Sequence, residues 1–180
     1  MAGALEKGKI SVNDTFTCDG GETFGANGDT YIKCAVWPDA HGTETLGEVI
    51  QNSCNDGMMA IGRKMGAALL LDYQSRFNFG SRTGIDLPNE SSGAIYTLDQ
   101  MKDMELASTT FGQGFTSTMI QEISAISAVI NGGTYYQPHV VKEIKSQEDG
   151  SVLKTNEGNV LKQIVSSDVS EKIREYMGMS

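Results

Sequence analysis

The segment from Thr118 to Asn131 constrains this chain more than any other. Met119, Ile123, Ile126 and Ile130 recur at intervals of 4, 3 and 4, the period of one helical face. Thr118 can accept the first free N–H groups of such a helix, and Gly132-Gly133 can end it in a conformation other residues avoid. A capped amphipathic helix needs a core to lie against, and its apolar stripe is expected to face that core. With 180 residues and 19.3 kDa the chain can bury one such core, but not two large domains.

Composition then removes whole classes of function. Lys and Arg number 14 against 23 Asp and Glu, a net charge of −9, which argues against a surface built to release counterions from nucleic acid. The longest uninterrupted apolar run, Met65 to Leu71, has seven residues, where a membrane span needs about 20. No membrane span is expected, and Met1 to Lys7 lacks the pattern of a signal peptide.

Local signals place the other elements. Ala2 to Lys7 reads as the last turns of a helix closed by Gly8, from which a chain cut from a longer one is expected. Thr15–Cys18 and Thr30–Cys34 are β-prone and flank Gly20, Gly21, Gly25 and Gly28, which predicts one hairpin with a long tip. Thr45 and Glu48 form a capping box for a helix carrying Leu46, Val49 and Ile50 toward Asn52. Further helices are predicted at 56–64, 67–77 and 98–106, with a loop over 78–96. Tyr135–Lys145 and Ser151–Lys154 read as strands joined at Asp149-Gly150. Asp168 and Glu171 open a last helix whose Val169, Ile173 and Met177 are expected inside, and Met58, Met59, Met65, Met101 and Met104 are read as core filling. The sum is a single unit over 1–180, mainly α with short β-hairpins. It divides into a Gly-rich hairpin insertion at 14–42, a helical core at 43–133, a β-hairpin at 134–165 and a C-terminal helix at 166–180.

Ser53 and Asn55 stand at the junction of two of these helices, where a hydroxyl and an amide can share a cleft. Ser and Asn also favour such junctions simply as helix caps. Ser151 and Lys154 have the spacing of a Ser-x-x-Lys nucleophile, but on a strand positions three apart point to opposite faces.

The order of several pieces resembles the transpeptidase domain of class B penicillin-binding proteins. They are Ala4-Leu5-Glu6-Lys7-Gly8 with Asp14-Thr15-Phe16, and Glu48 to Asn55 with Ser-x-Asn at Ser53 and Asn55. Phe77-Asn78-Phe79-Gly80 precedes Thr83-Gly84-Ile85-Asp86-Leu87-Pro88, and Phe111-Gly112-Gln113-Gly114 precedes Asn131-Gly132-Gly133. The resemblance implies the helical subdomain of a partial β-lactamase/transpeptidase-like fold, and a parent enzyme that acylates a serine with D-Ala-D-Ala stem peptides of peptidoglycan and is acylated by β-lactams. It implies that Ser53 belongs to the proton route and that Asn55 holds the substrate's amide carbonyl. It also implies that the Ser-x-x-Lys nucleophile and the Lys-Thr-Gly strand lie outside these residues, leaving this chain inactive alone. The implied parent is extracytoplasmic and membrane-anchored. The rival reading is a non-catalytic module, stapled by metal or disulfide, that binds cell-wall peptide or a protein partner.

Cys18, Cys34 and His41 follow one another with 15 and 6 residues between. If the two cysteines oppose each other on paired strands, the turn Trp37-Pro38-Asp39-Ala40 can bring His41 over them. Two thiolates, an imidazole and a carboxylate or water would then hold Zn²⁺. Asp19 and Asp39 adjoin the set, and Cys54 reads as an ordinary small buried residue. A Cys18–Cys34 disulfide, which the family's extracytoplasmic setting allows, and two plain buried thiols remain open alternatives.

Overall fold

The computed structural model describes residues 1–178, so the last two positions of the predicted 166–180 segment lie outside the described residues. Helices α1 (Ala2–Glu6), α2 (Leu46–Gln51), α3 (Asn55–Met65), α4 (Ala67–Arg76), α5 (Asp103–Thr110), α6 (Met119–Ile130) and α7 (Ser167–Met177) surround a core of Leu46, Val49, Ile61, Tyr73, Tyr135 and Ile173. The local start and stop signals act as the chemistry requires. Both capping boxes form, Thr45 with Glu48 and Thr118 with Gln121. Gly66, at φ +79°, separates α3 from α4.

The strands pair differently from the expected single hairpin. β1 (Thr15–Cys18) pairs with β4 (Gly42–Thr45), and β2 (Gly21–Phe24) pairs with β3 (Thr30–Lys33). One two-stranded ladder is thus threaded inside another, and Cys18 lies opposite Gly42 rather than Cys34. Two consecutive glycines at positive φ, Gly20 and Gly21, turn the chain sharply enough for β2 to leave β1. The Arg63–Glu22 ion pair, with Arg63 also 5.5 Å above the Phe24 ring, fastens the inner ladder to α3. Near the C-terminus, β5 (Thr134–Gln137) pairs with β8 (Asn159–Gln163), and β6 (Glu143–Lys145) pairs with β7 (Val152–Thr155). The predicted strand Tyr135–Lys145 is therefore broken in two: Pro138, which has no N–H to give a ladder, follows the end of β5.

Three packing expectations are corrected. On α6 the residues turned inward are Gln121, Ala125 and Ala128, whereas Met119, Ile123 and Ile126 are 79%, 60% and 47% exposed. The small residues let the helix approach closely, and Gln121 supplies what an isoleucine could not. The two N–H groups of its Nε2 are shared among the carbonyls of Asn78, Ser81 and Ser92, each 2.7–2.8 Å away, so a polar stripe clamps the 78–92 loop. Met104 and Met177 are exposed, Tyr176 taking the inner place expected of Met177. The helix predicted at 98–106 begins only at Asp103. Thr97 instead caps a turn with Gln100 and Asp99, and Leu98 faces outward.

Candidate active site and metal centre

The corner between α2 and α3 is built by four residues. Asn52 closes α2 with its N–H on Glu48 O at 2.8 Å. Ser53 then takes φ +52°, a left-handed conformation that costs a serine about 1–2 kcal/mol. Neighbouring backbone bonds, Ser53 N to Ile50 O at 3.1 Å and Cys54 N to Val49 O at 3.0 Å, hold it there. Cys54 caps α3, its Sγ accepting from Gly57 N at 3.3 Å. Ser53 is therefore not the cap; it is an exposed hydroxyl held on a strained corner. Strain of this kind is retained where the surroundings enforce it, and it clusters at functional sites. The Asn55 side chain reaches across to the inner ladder, Nδ2 donating to Lys33 O at 2.9 Å.

Beneath this corner lie the sulfurs. Cys18, Cys34 and Cys54 are buried free thiols, and with half-buried His41 their ligand atoms all lie within 4.8 Å of one another. The structure thus unites the three residues expected to gather and adds Cys54, which residue type alone marks only as small and buried. Cys18 and Cys34 meet although they are not cross-strand partners, because both ladders abut the amino end of α3. The one sequence signal for Cys54 is arithmetic: an odd third thiol beside two candidate ligands. Asp19 and Asp39, the carboxylates adjoining in sequence, are not in the cluster; the carboxylates buried beside it are Glu44 and Asp56.

The geometry suits a tetrahedral ion. A tetrahedron with metal–sulfur bonds of about 2.3 Å has sulfur–sulfur edges of about 3.8 Å. Cys34 Sγ stands 3.8 Å from Cys54 Sγ and 3.7 Å from His41 Nδ1. The donor set, three thiols and an imidazole, is one that structural Zn²⁺ sites use. Electrostatics differ among the thiols. Burial raises Cys18, and the Asp56 carboxylate adds to the rise. Burial followed by the Glu44 carboxylate pushes Cys54 far up. At Cys34 burial also opposes ionisation, but the N–H groups of Asp56 and Asn55 at the start of α3, together with the neighbouring Cys18 and Cys54 thiols, bring the thiol below its usual value.

Hydrogen bonds join the corner to the cluster throughout. Asn52 Nδ2 donates to Glu44 Oε1 at 2.9 Å, Asn55 bonds the carbonyl next to Cys34, and Asp56 Oδ2 accepts from Asp19 N at 3.2 Å and Gly20 N at 3.0 Å, next to Cys18. Elsewhere, Ser151 donates its hydroxyl to Asp149 at 2.7 Å while Lys154 lies opposite Ile144, so that pair builds no nucleophile. His139 belongs to neither site.

Residues 1–179 match the penicillin binding protein transpeptidase domain family. The chain is 37% identical over 177 residues to stage V sporulation protein D of Bacillus subtilis, covering 97% of this chain and 26% of that protein. It is 25% identical over 129 residues to penicillin-binding protein PbpB of Mycobacterium tuberculosis, covering 72% of this chain and 19% of that protein. Among solved structures it is similar to a peptidoglycan synthetase from Bifidobacterium adolescentis, with TM-score 0.84 and 29% identity over 98% of this chain and 32% of that one. It is also similar to penicillin binding protein 3 from Mycobacterium tuberculosis complexed with ampicillin, with TM-score 0.84 and 25% identity over 97% and 37%. The chain spans about a quarter or less of the length of these curated relatives. On this match the chain belongs to the penicillin-binding protein transpeptidase family, and its mainly helical, hairpin-bearing architecture is part of that fold.

Proposed function

We propose that this chain supplies the Ser-x-Asn part of a peptidoglycan D,D-transpeptidase site, with Ser53 in the proton route and Asn55 on the substrate. The observation that carries the reading is the corner itself: an exposed serine in a strained left-handed conformation, two residues before an amide pinned by one N–H to Lys33 O. A carboxamide has two N–H donors and a carbonyl oxygen, so Asn55 keeps one donor and one acceptor for an amide of the stem peptide or a β-lactam. Ser53 has a hydroxyl that can both accept and donate, as a group passing a proton to a leaving amine must. The acylating serine of the Ser-x-x-Lys motif and the Lys-Thr-Gly strand are taken to lie outside these 180 residues, in an extracytoplasmic, membrane-anchored parent. The family match speaks against the rival non-catalytic module. Among the described residues no helix is long and apolar enough to cross a membrane.

Zn²⁺ is proposed as a structural ion held by Cys18, Cys34, His41 and Cys54. Bound there, it would supply cross-linking between the β1–β4 ladder and α3, since binding free energy at such sites is folding free energy. Cys18, Cys34 and Cys54 would then fix the floor on which Ser53 and Asn55 stand.

The test is acylation by a fluorescent penicillin in the full-length parent. Asn55→Ala should slow labelling by about tenfold or more while the melting temperature barely moves, as for a group acting on substrate rather than on packing. Losses of rate and stability in proportion would refute the assignment. The isolated 180-residue chain should remain unlabelled, and a covalent adduct on Ser53 found by mass spectrometry would overturn the division of roles.

A further inference from the structure

The inner ladder carries an exposed aromatic shelf beside the Ser-x-Asn corner. Tyr31 and Lys33 stand two apart on β3 and so on one face of it. A turn closed by Trp37 N on Cys34 O at 3.2 Å folds the chain's only tryptophan back toward that face. The Tyr31 and Trp37 rings meet edge to face with centroids 5.0 Å apart, and the Lys33 ammonium lies 5.4 Å from the centre of the Trp37 ring. Their bed is bare backbone. A Cβ on Gly20 would stand 3.4 Å from Trp37 Cε3, and one on Gly21 would stand 2.9 Å from Tyr31 Cζ, so the rings lie directly against the two glycines that turn the chain at positive φ. Tyr31 and Trp37 nonetheless remain 40% and 44% exposed. An aromatic pair fixed in place yet open to water is a contact surface whose ordering cost is already met.

Charge and position narrow what the shelf takes. Lys33 is exposed and makes no ion pair among the described residues. Asp19 precedes the glycine bed and the Asp39 carbonyl lies against it, so in a chain of net charge −9 it is Lys33 that makes this surface attractive to an anion. Lys33 also joins the shelf to the corner, because its carbonyl oxygen accepts from Asn55 Nδ2 at 2.9 Å. The amide assigned to Asn55 is on the amino side of the D-Ala-D-Ala bond, and an extended peptide advances about 3.3–3.6 Å per residue. The stem residue before D-Ala-D-Ala therefore comes within reach of the shelf. We propose that Tyr31, Lys33 and Trp37 form a subsite for an acidic residue at that place in the stem, Lys33 taking its carboxylate and the two rings its methylene chain. The inference rests on the Ser-x-Asn reading given above.

The test uses two penicillins with the same nucleus and the same acyl chain, which ends in a free carboxylate in one and in its methyl ester in the other. Acylation rates of the full-length parent are measured with each. The ratio of the two rates cancels any loss common to both, loss of folded protein included. Lys33→Met should lower the carboxylate-to-ester ratio about two- to fivefold, the worth of an exposed ion pair. Lys33→Glu should lower it further, and Lys33→Arg should keep it. Added salt should shrink the wild-type ratio and leave that of Lys33→Met unmoved. Trp37→Ala should slow both penicillins by about fourfold, as for one methylene left uncovered. A ratio indifferent to the charge at residue 33, or rates unchanged by Trp37→Ala, would overturn the proposal. Asn55→Ala should slow both penicillins alike. If it slows neither, the Ser-x-Asn reading and this inference fall together, whereas a normal Asn55→Ala effect beside a constant ratio in the Lys33 variants refutes the shelf alone.

Discussion

Gln121 offers the sharpest test of how the 78–92 loop is held. Its side chain is fully buried, Oε1 accepting from Thr118 N at 2.8 Å and Nε2 reaching three carbonyl oxygens at 2.7–2.8 Å. Gln121→Ala removes every one of these contacts and leaves a void. Nε2 has two N–H groups to share among the three carbonyls, so with the Thr118 bond the loss is about three bonds' worth at about 0.5–1.5 kcal/mol each, about 1.5–4.5 kcal/mol. Gln121→Glu keeps the volume and the acceptor for Thr118 but turns a carboxylate toward three carbonyl oxygens in a buried site. The nearly isosteric change should therefore destabilise more than the truncation. For a domain of this size each kcal/mol moves the melting temperature by about 2–4 °C, so Gln121→Ala should lower it by about 3–18 °C and Gln121→Glu by more. Thermal unfolding followed by circular dichroism at neutral pH gives the comparison. A Glu variant as stable as the wild type, or an Ala variant within about 2 °C of it, would refute the view that the amide's donors hold the loop.

Three further outcomes follow from the geometry. With Zn²⁺ in the Cys18, Cys34, His41 and Cys54 cluster, a chelator should lower the melting temperature, reductant should do little, and His41→Ala should weaken metal retention; elemental analysis finding no metal, with an unchanged melting curve for that variant, would sink the zinc assignment. Asp86 is held below the usual carboxylate range, first by the N–H of Val140 at 2.7 Å and then by that of Val141 at 2.9 Å. A depressed pKa contributes stability that is present above the unfolded value, about 3.9, and is lost as pH falls through the folded value. Hydrogen exchange at these two amides should therefore become less protected in acid, and Asp86→Asn should show the loss already at neutral pH. On α6, Ile123→Ser should cost no more than about 0.5 kcal/mol in urea unfolding, because that face is exposed, whereas Ala128→Leu should cost about 1–3 kcal/mol by overpacking; the reverse order would return the isoleucine face to the core.

What the sequence determined by itself was local. Thr45 with Glu48 and Thr118 with Gln121 make capping boxes because the donor and acceptor are three residues apart, and Gly66, Gly132 and Gly150 adopt the positive φ that their surroundings require. The gathering of Cys18, Cys34 and His41 was legible for a related reason, that residue type restricts ligand chemistry before any fold is known, although the cross-strand opposition of the two cysteines expected for it does not form. Pairing and facing were set by contacts between distant segments. The β1–β4 pairing closes across the whole inner ladder, bringing Cys18 opposite Gly42 with both β2 and β3 lying between them in sequence, and no local spacing rule specifies a register at that separation. The apolar stripe of α6 had the right period, yet period alone cannot choose between two faces when a glutamine with three carbonyls to satisfy competes with isoleucines for the inside. Cys54 became a candidate ligand, and Glu44 its neighbour, only when two ladders and the amino end of α3 met, because metal geometry is a property of points in space and not of positions along a chain.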